Sequence, residues 1–348
     1  MHWNCLPTCI GSLPHSDPKK AVDLILGQKG LLPFWPQLPS RGFSENMYAQ
    51  YSTHLPGIQI DGLNKRITVN LRDYDPEKFY TSVVSERVED FSYPRDSFSG
   101  FYEFVSRSIP PEVNAVKGQV TGPISTGLQI FDTDGRPAIY DEAYSEMIRK
   151  NLNMMARWQE NVLRSKCSNT IMFIDEPSLS LLGTPFASVS WEDAANWINE
   201  VLSGLESWKA IHCCGNTDWP RLMTTDIDIL SFDAYNYAYT IALYPGEVER
   251  FLKRGGSLAW GIVPNNEDEL KDETVSSLIE RVEQSFKMLT EKGIDIDDLL
   301  RNSLVTPECG LGGVDESLSA KILETLLAVS YGLREKHGFD GASGPSRT

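Results

Sequence analysis

The sequence predicts an α/β fold: a single (β/α)8 TIM barrel with one β-hairpin inserted after its second strand. Three observations predict it. Eight short apolar runs alternate with longer stretches of helical periodicity, the pattern of a parallel sheet with helical crossovers. The length, 348 residues, suits one large α/β domain. The chemically distinctive residues stand just after the apolar runs, at the strand ends where such barrels carry their active sites.

Residues 8–11 form the first run, ended by Gly11 and Ser12, and Asp17 caps a helix over 18–26 with Pro18 at its first position. Residues 31–35 form the second run, stopped by Pro36. Over 57–71, Ile58 and Ile60, then Ile67, Val69 and Leu71, alternate about a turn at Asp61 to Asn64, which is the inserted hairpin. Residues 72–111 are polar and aromatic and carry Pro94, Pro110 and Pro111; they read as excursion and lid, so the insertion spans 57–111. The remaining runs are 114–120, 170–174, 208–212, 228–232, 257–262 and 303–305. Helical patterns cover 138–165, 191–205, 245–254, 266–292 and 317–336. The barrel therefore spans 1–340, and the small, polar residues 341–348 form a disordered tail. A doubly wound open sheet is the alternative.

Lys and Arg total 32 against 48 Asp and Glu, a formal net charge of −16. That balance argues against nucleic acid and anionic membrane surfaces as partners, since both are bound through cations. Six cysteines are too sparse for a disulfide scaffold. The chain opens with no basic segment and apolar run of the secretory kind, and no run has the length of a membrane span. A cytoplasmic location is expected, with thiols free for metal.

His212, Cys213 and Cys214 end the run that begins at Trp208. Side chains alternate along a strand, so His212 and Cys214 share one face and Cys213 takes the other. An imidazole and a thiolate at one strand end are two of the ligands zinc requires. Cys309 has the same setting, after residues 303–305 and before Gly310, Gly312 and Gly313. Those glycines read as a tight turn, because they lack the dinucleotide spacing and come last in the chain. Ordinary buried cysteines are the competing reading. Gly11-Ser12, Thr121-Gly122-Pro123, Asp175-Glu176-Pro177 and Asp233 also fall at strand ends, where a barrel brings them together.

At these residues the chain resembles the catalytic barrel of cobalamin-independent methionine synthase, in a stand-alone core form, within the uroporphyrinogen decarboxylase/methionine synthase-like superfamily. The segments that carry the resemblance begin at Pro7, Gln119, Ile174, His212, Ile229 and Pro307 and keep the family's order. It implies a zinc-dependent methyltransferase that moves a methyl group to the thiol of homocysteine to make methionine. It implies zinc held by His212, Cys214 and Cys309, with Asp233 where the family has Glu; Tyr235 or water are the other candidates for that place. It further implies that Ile10, Gly11 and Ser12 bind the substrate's carboxylate end and that Asp175 is the catalytic-site residue holding its ammonium.

Two departures qualify the resemblance. The full-length family enzyme is a double barrel, and this chain has length for one. The family's folate-side histidine after the seventh strand is replaced by 261–266, and residues 121–136 carry no Trp. The methyl donor expected is therefore methylcobalamin or a corrinoid protein, with Trp35, Phe43, Tyr48, Trp191, Tyr235 and Tyr237 as candidates to line a corrinoid mouth. Three other readings compete. A metal-free decarboxylase of the same superfamily would need a basic floor, for which Arg41, Arg66 and Arg72 are candidates. A corrinoid or metal carrier would hold zinc in a closed four-ligand site. A related methyltransferase would act on another thiol, such as coenzyme M.

Overall fold

The computed structural model describes residues 2–339, so the tail expected at 341–348 lies outside the described residues. In chain order the strands are β1 (Leu6–Pro7), β2 (Ile58–Asp61), β3 (Arg66–Val69), β4 (Val116–Thr121), β5 (Ile130–Phe131), β6 (Thr170–Asp175), β7 (Trp208–Cys213), β8 (Ile229–Asp233), β9 (Ser257–Val263) and β10 (Ser303–Pro307). Seven form one parallel sheet in the order β1-β10-β9-β8-β7-β6-β4. Helices Glu142–Arg164, Trp191–Leu202, Pro245–Lys253, Val275–Thr290 and Glu316–Lys336 follow the expected alternation. Asp17 caps the helix Pro18–Leu26, accepting from the Lys19 N–H.

The pleat sorts side chains onto two faces. Ile171, Phe173, Ala210, Ile229, Ala259 and Leu304 point into one apolar cluster with Trp3 and Leu32. Met172, Ile174, Ile211, Cys213, Leu230 and Phe232 pack the other way, against the helices. Ala115, which leads into β4 at one end of the sheet, and Leu6 of β1 at the other both join this inner cluster, so the sheet curls on itself.

The second run, expected as a strand over 31–35, is not one. Pro33 and Pro36 cannot donate to a ladder. The segment nevertheless bonds to both sheet edges: the Leu32 N–H reaches the Pro7 carbonyl at 2.9 Å, and the Lys117 N–H reaches the Pro33 carbonyl at 2.8 Å. Isolated parallel bridges join Ser12 to Gln37 and Phe34 to Lys117. The helix expected over 266–292 is also broken. It divides into Glu267–Asp272 and Val275–Thr290, because Thr274 and Ser277 form a capping box that starts the second piece.

β2 pairs antiparallel with β3, from Ile58 opposite Val69 to Asp61 opposite Arg66, and β3 pairs parallel with β5 to give a small second sheet. Within the stretch 72–111, helices Glu77–Val84 and Ser99–Ser106 form. Its aromatic residues face inward. Tyr93, Phe98 and Phe101 surround Trp35, with ring centroids 5.6–6.3 Å from the indole. Trp35 is fully buried and donates its indole N–H to the Gln159 side chain, so it belongs to this core and lines no mouth.

Candidate metal centre

β7 delivers His212 to the cavity side of the sheet, and the chain breaks from the strand immediately after Cys213. β10 delivers Cys309 through a register shift between Thr306 and Pro307. The ligand atoms of His212, Cys214 and Cys309 all lie within 4.8 Å of one another. The Cys214 sulfur is 3.3 Å from His212 Nε2 and 3.0 Å from the Cys309 sulfur. His212 Nδ1 meets the Ser231 hydroxyl at 3.0 Å, which orients the ring and leaves Nε2 toward the sulfurs. Ser231 went unread in the sequence, although its place two residues before Asp233 puts it on the inner face of β8 opposite His212.

The two sulfurs titrate as a pair. Hydrogen bonding with Cys214, aided by His212, holds the Cys309 thiol well below its ordinary value, and the same contact with burial drives Cys214 up.

Two ties fix Cys309. Its neighbour Glu308 accepts from the Asn265 N–H at 2.9 Å and from the Asn236 side chain at 3.2 Å, which binds the ends of β8, β9 and β10 together. On the other side, the Ser12 hydroxyl accepts from the Gly312 N–H at 3.1 Å, and the Leu311 N–H reaches the Ser12 carbonyl at 3.1 Å. A side chain on Gly310 would meet Ser12 Oγ at 2.4 Å, so this turn needs glycine to approach.

A cavity of about 480 Å3 opens beside the three donors. Ile10, Ser12 and Asp175 line it, together with Gln37, Glu45, Met47 and Tyr48. The 37–48 wall was foreseen only at Tyr48. It carries no motif and reaches the site only because 31–37 runs along both sheet edges. Asp175 sits opposite His212 in the β6–β7 register. Its Oδ1 is buried without a partner, and burial pushes the carboxyl up to about 6 against the pull of Lys117 and His212. Gly11, at φ +149°, is behind the lining, with the Gln119 side chain where a Cβ would stand.

Asp233 is placed differently from the three donors. It caps the helix Ala234–Ile241, and its two oxygens accept from the Asn236 backbone and side chain, each at 2.9 Å. Tyr235 turns outward, its hydroxyl on Glu273 at 3.0 Å and Arg281 over its ring at 4.7 Å. Among the described residues no lysine or arginine lines the cavity. Arg41 pairs with Glu45 at 2.6 Å, Arg72 pairs with Asp134 at 3.0 Å, and Arg66 lies exposed on β3. The basic floor that a decarboxylase would require is not assembled by these residues.

Two buried groups support the site; the sequence placed Glu176 at a strand end without a role of its own and left Lys117 unremarked. Glu176 accepts from the Ile124 and Ser125 N–H groups at 2.9 and 2.7 Å. Lys117, on the inner face of β4, donates to the Ile10 carbonyl and to Gln119 Oε1. Burial drives the Lys117 ammonium down to about 8, opposed by Asp175. Between about 8 and the ordinary 10.5 the unfolded chain holds a proton here that the folded chain has lost, so this group makes stability rise with pH across that window. In urea unfolding, the wild type should gain on the order of 3 kcal/mol over Lys117→Met between those limits. A difference that stays flat would remove the buried charge from the account.

No family model matches the chain, and no curated protein matches it in sequence. Among solved structures, it is similar to a B12-independent methionine synthase from Shewanella sp. W3-18-1 in complex with selenomethionine. The TM-score is 0.62 at 14% identity, covering 96% of this chain and 99% of that one. It is also similar to a methyltransferase from Methanosarcina mazei, with a TM-score of 0.55 at 14% identity, covering 96% and 94%. Among the described residues no helix is long and apolar enough to cross a membrane. With its seven-stranded curled parallel sheet, the chain has the fold of these two methyl-transfer proteins over nearly its whole length.

Proposed function

We propose that this chain is a zinc-dependent thiol methyltransferase that converts homocysteine to methionine, on a (β/α)8 barrel whose eighth stave is the segment 31–37. The observation that carries the reading is the convergence of His212, Cys214 and Cys309 at the edge of a cavity that also presents Asp175. The donor set fits zinc. One imidazole and two sulfurs, all within 4.8 Å of one another, bracket the roughly 3.5–3.8 Å ligand separation around a tetrahedral ion with bonds of about 2.0–2.3 Å. Three protein ligands leave a position for substrate, and Asp233, occupied with Asn236, is a weaker candidate for a fourth.

Zinc, when bound, supplies the charge that keeps a substrate thiol deprotonated and nucleophilic at neutral pH. The chain's own residues do the rest. His212, Cys214 and Cys309 hold the ion, with Ser231 orienting the imidazole ring. The unpartnered Asp175 Oδ1 suits an ammonium group. The segment 10–12 lies across the cavity for the carboxylate, with Tyr48 and Met47 closing one wall against water.

A methylated corrinoid, free or on a protein, is the donor we infer. The stretch after β9 offers Asn265 and Asn266, with Asn265 turned to Glu308 and Gly310, and no histidine for folate-side proton transfer. The experiment is a methyl-transfer assay on zinc-loaded protein, crossing homocysteine and coenzyme M with methylcobalamin and methyltetrahydrofolate. Methionine formed from methylcobalamin is the expected product. Activity with folate alone would refute the donor, and preference for coenzyme M would refute the acceptor.

A further inference from the structure

We propose that Lys117 is a positioning residue that turns the 10–12 segment into a receptor for the substrate carboxylate, acting through the Ile10 carbonyl. This deepens the homocysteine reading and rests on it. Lys117 is fully buried, and its ammonium is held by a carbonyl, an amide oxygen and the face of Phe173 at 4.6 Å. A cation with such neutral partners is expensive to bury, which directs attention to what its field does. In a trans peptide the carbonyl and the next N–H point opposite ways, and the described residues have no cis bond. By drawing the Ile10 carbonyl to itself, Lys117 turns the Gly11 N–H away from itself.

Other contacts hold the same plane. Gln119, bonded to Lys117 and to the Trp35 carbonyl at 3.2 Å, packs where a Gly11 side chain would stand. The Gly11 carbonyl accepts from the Gln37 N–H at 3.0 Å. No acceptor among the described residues takes the Gly11 or Ser12 N–H. Ile10 and Ser12 line the cavity on either side of Gly11, so the two unpaired N–H groups belong to a turn that forms part of its wall. The titratable groups lining the cavity, apart from His212, are Glu45, Tyr48, Asp175, Cys214 and Cys309, none of them a cation. A carboxylate entering there meets backbone N–H groups with a buried positive charge behind them, the arrangement that binds anions without a direct ion pair.

The test uses the whole chain loaded with cobalt(II) in place of zinc, whose visible bands report a sulfur entering the metal shell. It compares L-homocysteine with 3-aminopropane-1-thiol, the same molecule without its carboxylate. Lys117→Met should weaken homocysteine by about tenfold or more and leave the carboxylate-free thiol within about twofold of wild type. Equal weakening of both thiols, or of neither, overturns the role of Lys117. If homocysteine leaves the wild-type bands unchanged, the homocysteine reading fails, and the role of Lys117 fails with it. Lys117→Leu, which likewise removes the donor and the charge, serves as the second variant should the methionine form not fold, with the same two outcomes read.

Discussion

Cys309→Ala should lose zinc affinity by at least about a hundredfold and abolish methyl transfer, while the protein stays folded. The loss is expected because the sulfur is one of only three donors gathered within 4.8 Å. The fold should survive because nothing that positions residue 309 uses its sulfur. Glu308 is tied to Asn265 and Asn236, and Ser12 holds Gly312. Cys213→Ala is the internal control. Cys213 is fully buried in the cluster on the opposite face, so that variant should keep about one zinc per chain and lose only packing and the thiol's 3.3 Å contact with the Gly215 carbonyl. Metal content after dialysis, measured beside circular dichroism, reads both. A C309A protein with full zinc would dissolve the proposed centre.

Glu176→Ala should cost about 3–5 kcal/mol of unfolding free energy, the largest stability loss expected of a residue that touches no substrate. Its carboxylate is fully buried and satisfies two N–H groups at the start of the helix Pro123–Gln129. Alanine would strand both donors in a dry interior and leave a cavity. Glu176→Gln keeps the volume and one acceptor, so it should lose roughly half as much. Gly122→Ala attacks the same contact from the other side, since its new methyl would stand 2.0 Å from Glu176 Oε2. Urea unfolding of the three variants is the check. E176A within about 1 kcal/mol of wild type would show that water satisfies those donors.

The local rules read correctly from the sequence are those with short range. The strand period of two put His212 and Cys214 on one face and sent Cys213 to the other; the structure gathers the first two with Cys309 and buries Cys213 in the core against the helices. Capping chemistry located the helix after Asp17. Where the sequence misled, a neighbour competed. Pro33 and Pro36 denied 31–35 a ladder, Thr274 divided a long amphipathic stretch, and Trp35 was drawn into the aromatic core of Tyr93, Phe98 and Phe101.

Taken by itself, the chain specified its alternation of strands and helices and the chemical identity of its donors, because both depend on neighbours a few residues apart. Tertiary structure alone decided that Cys309 meets Cys214 across 95 positions, that 37–48 walls the cavity, that Asp233 spends its oxygens on Asn236, and that Lys117 lies buried beneath Ile10. The physical reason is that strand order and curl, which no period in the sequence encodes, set which distant side chains share one dry space and therefore which charges feel one another.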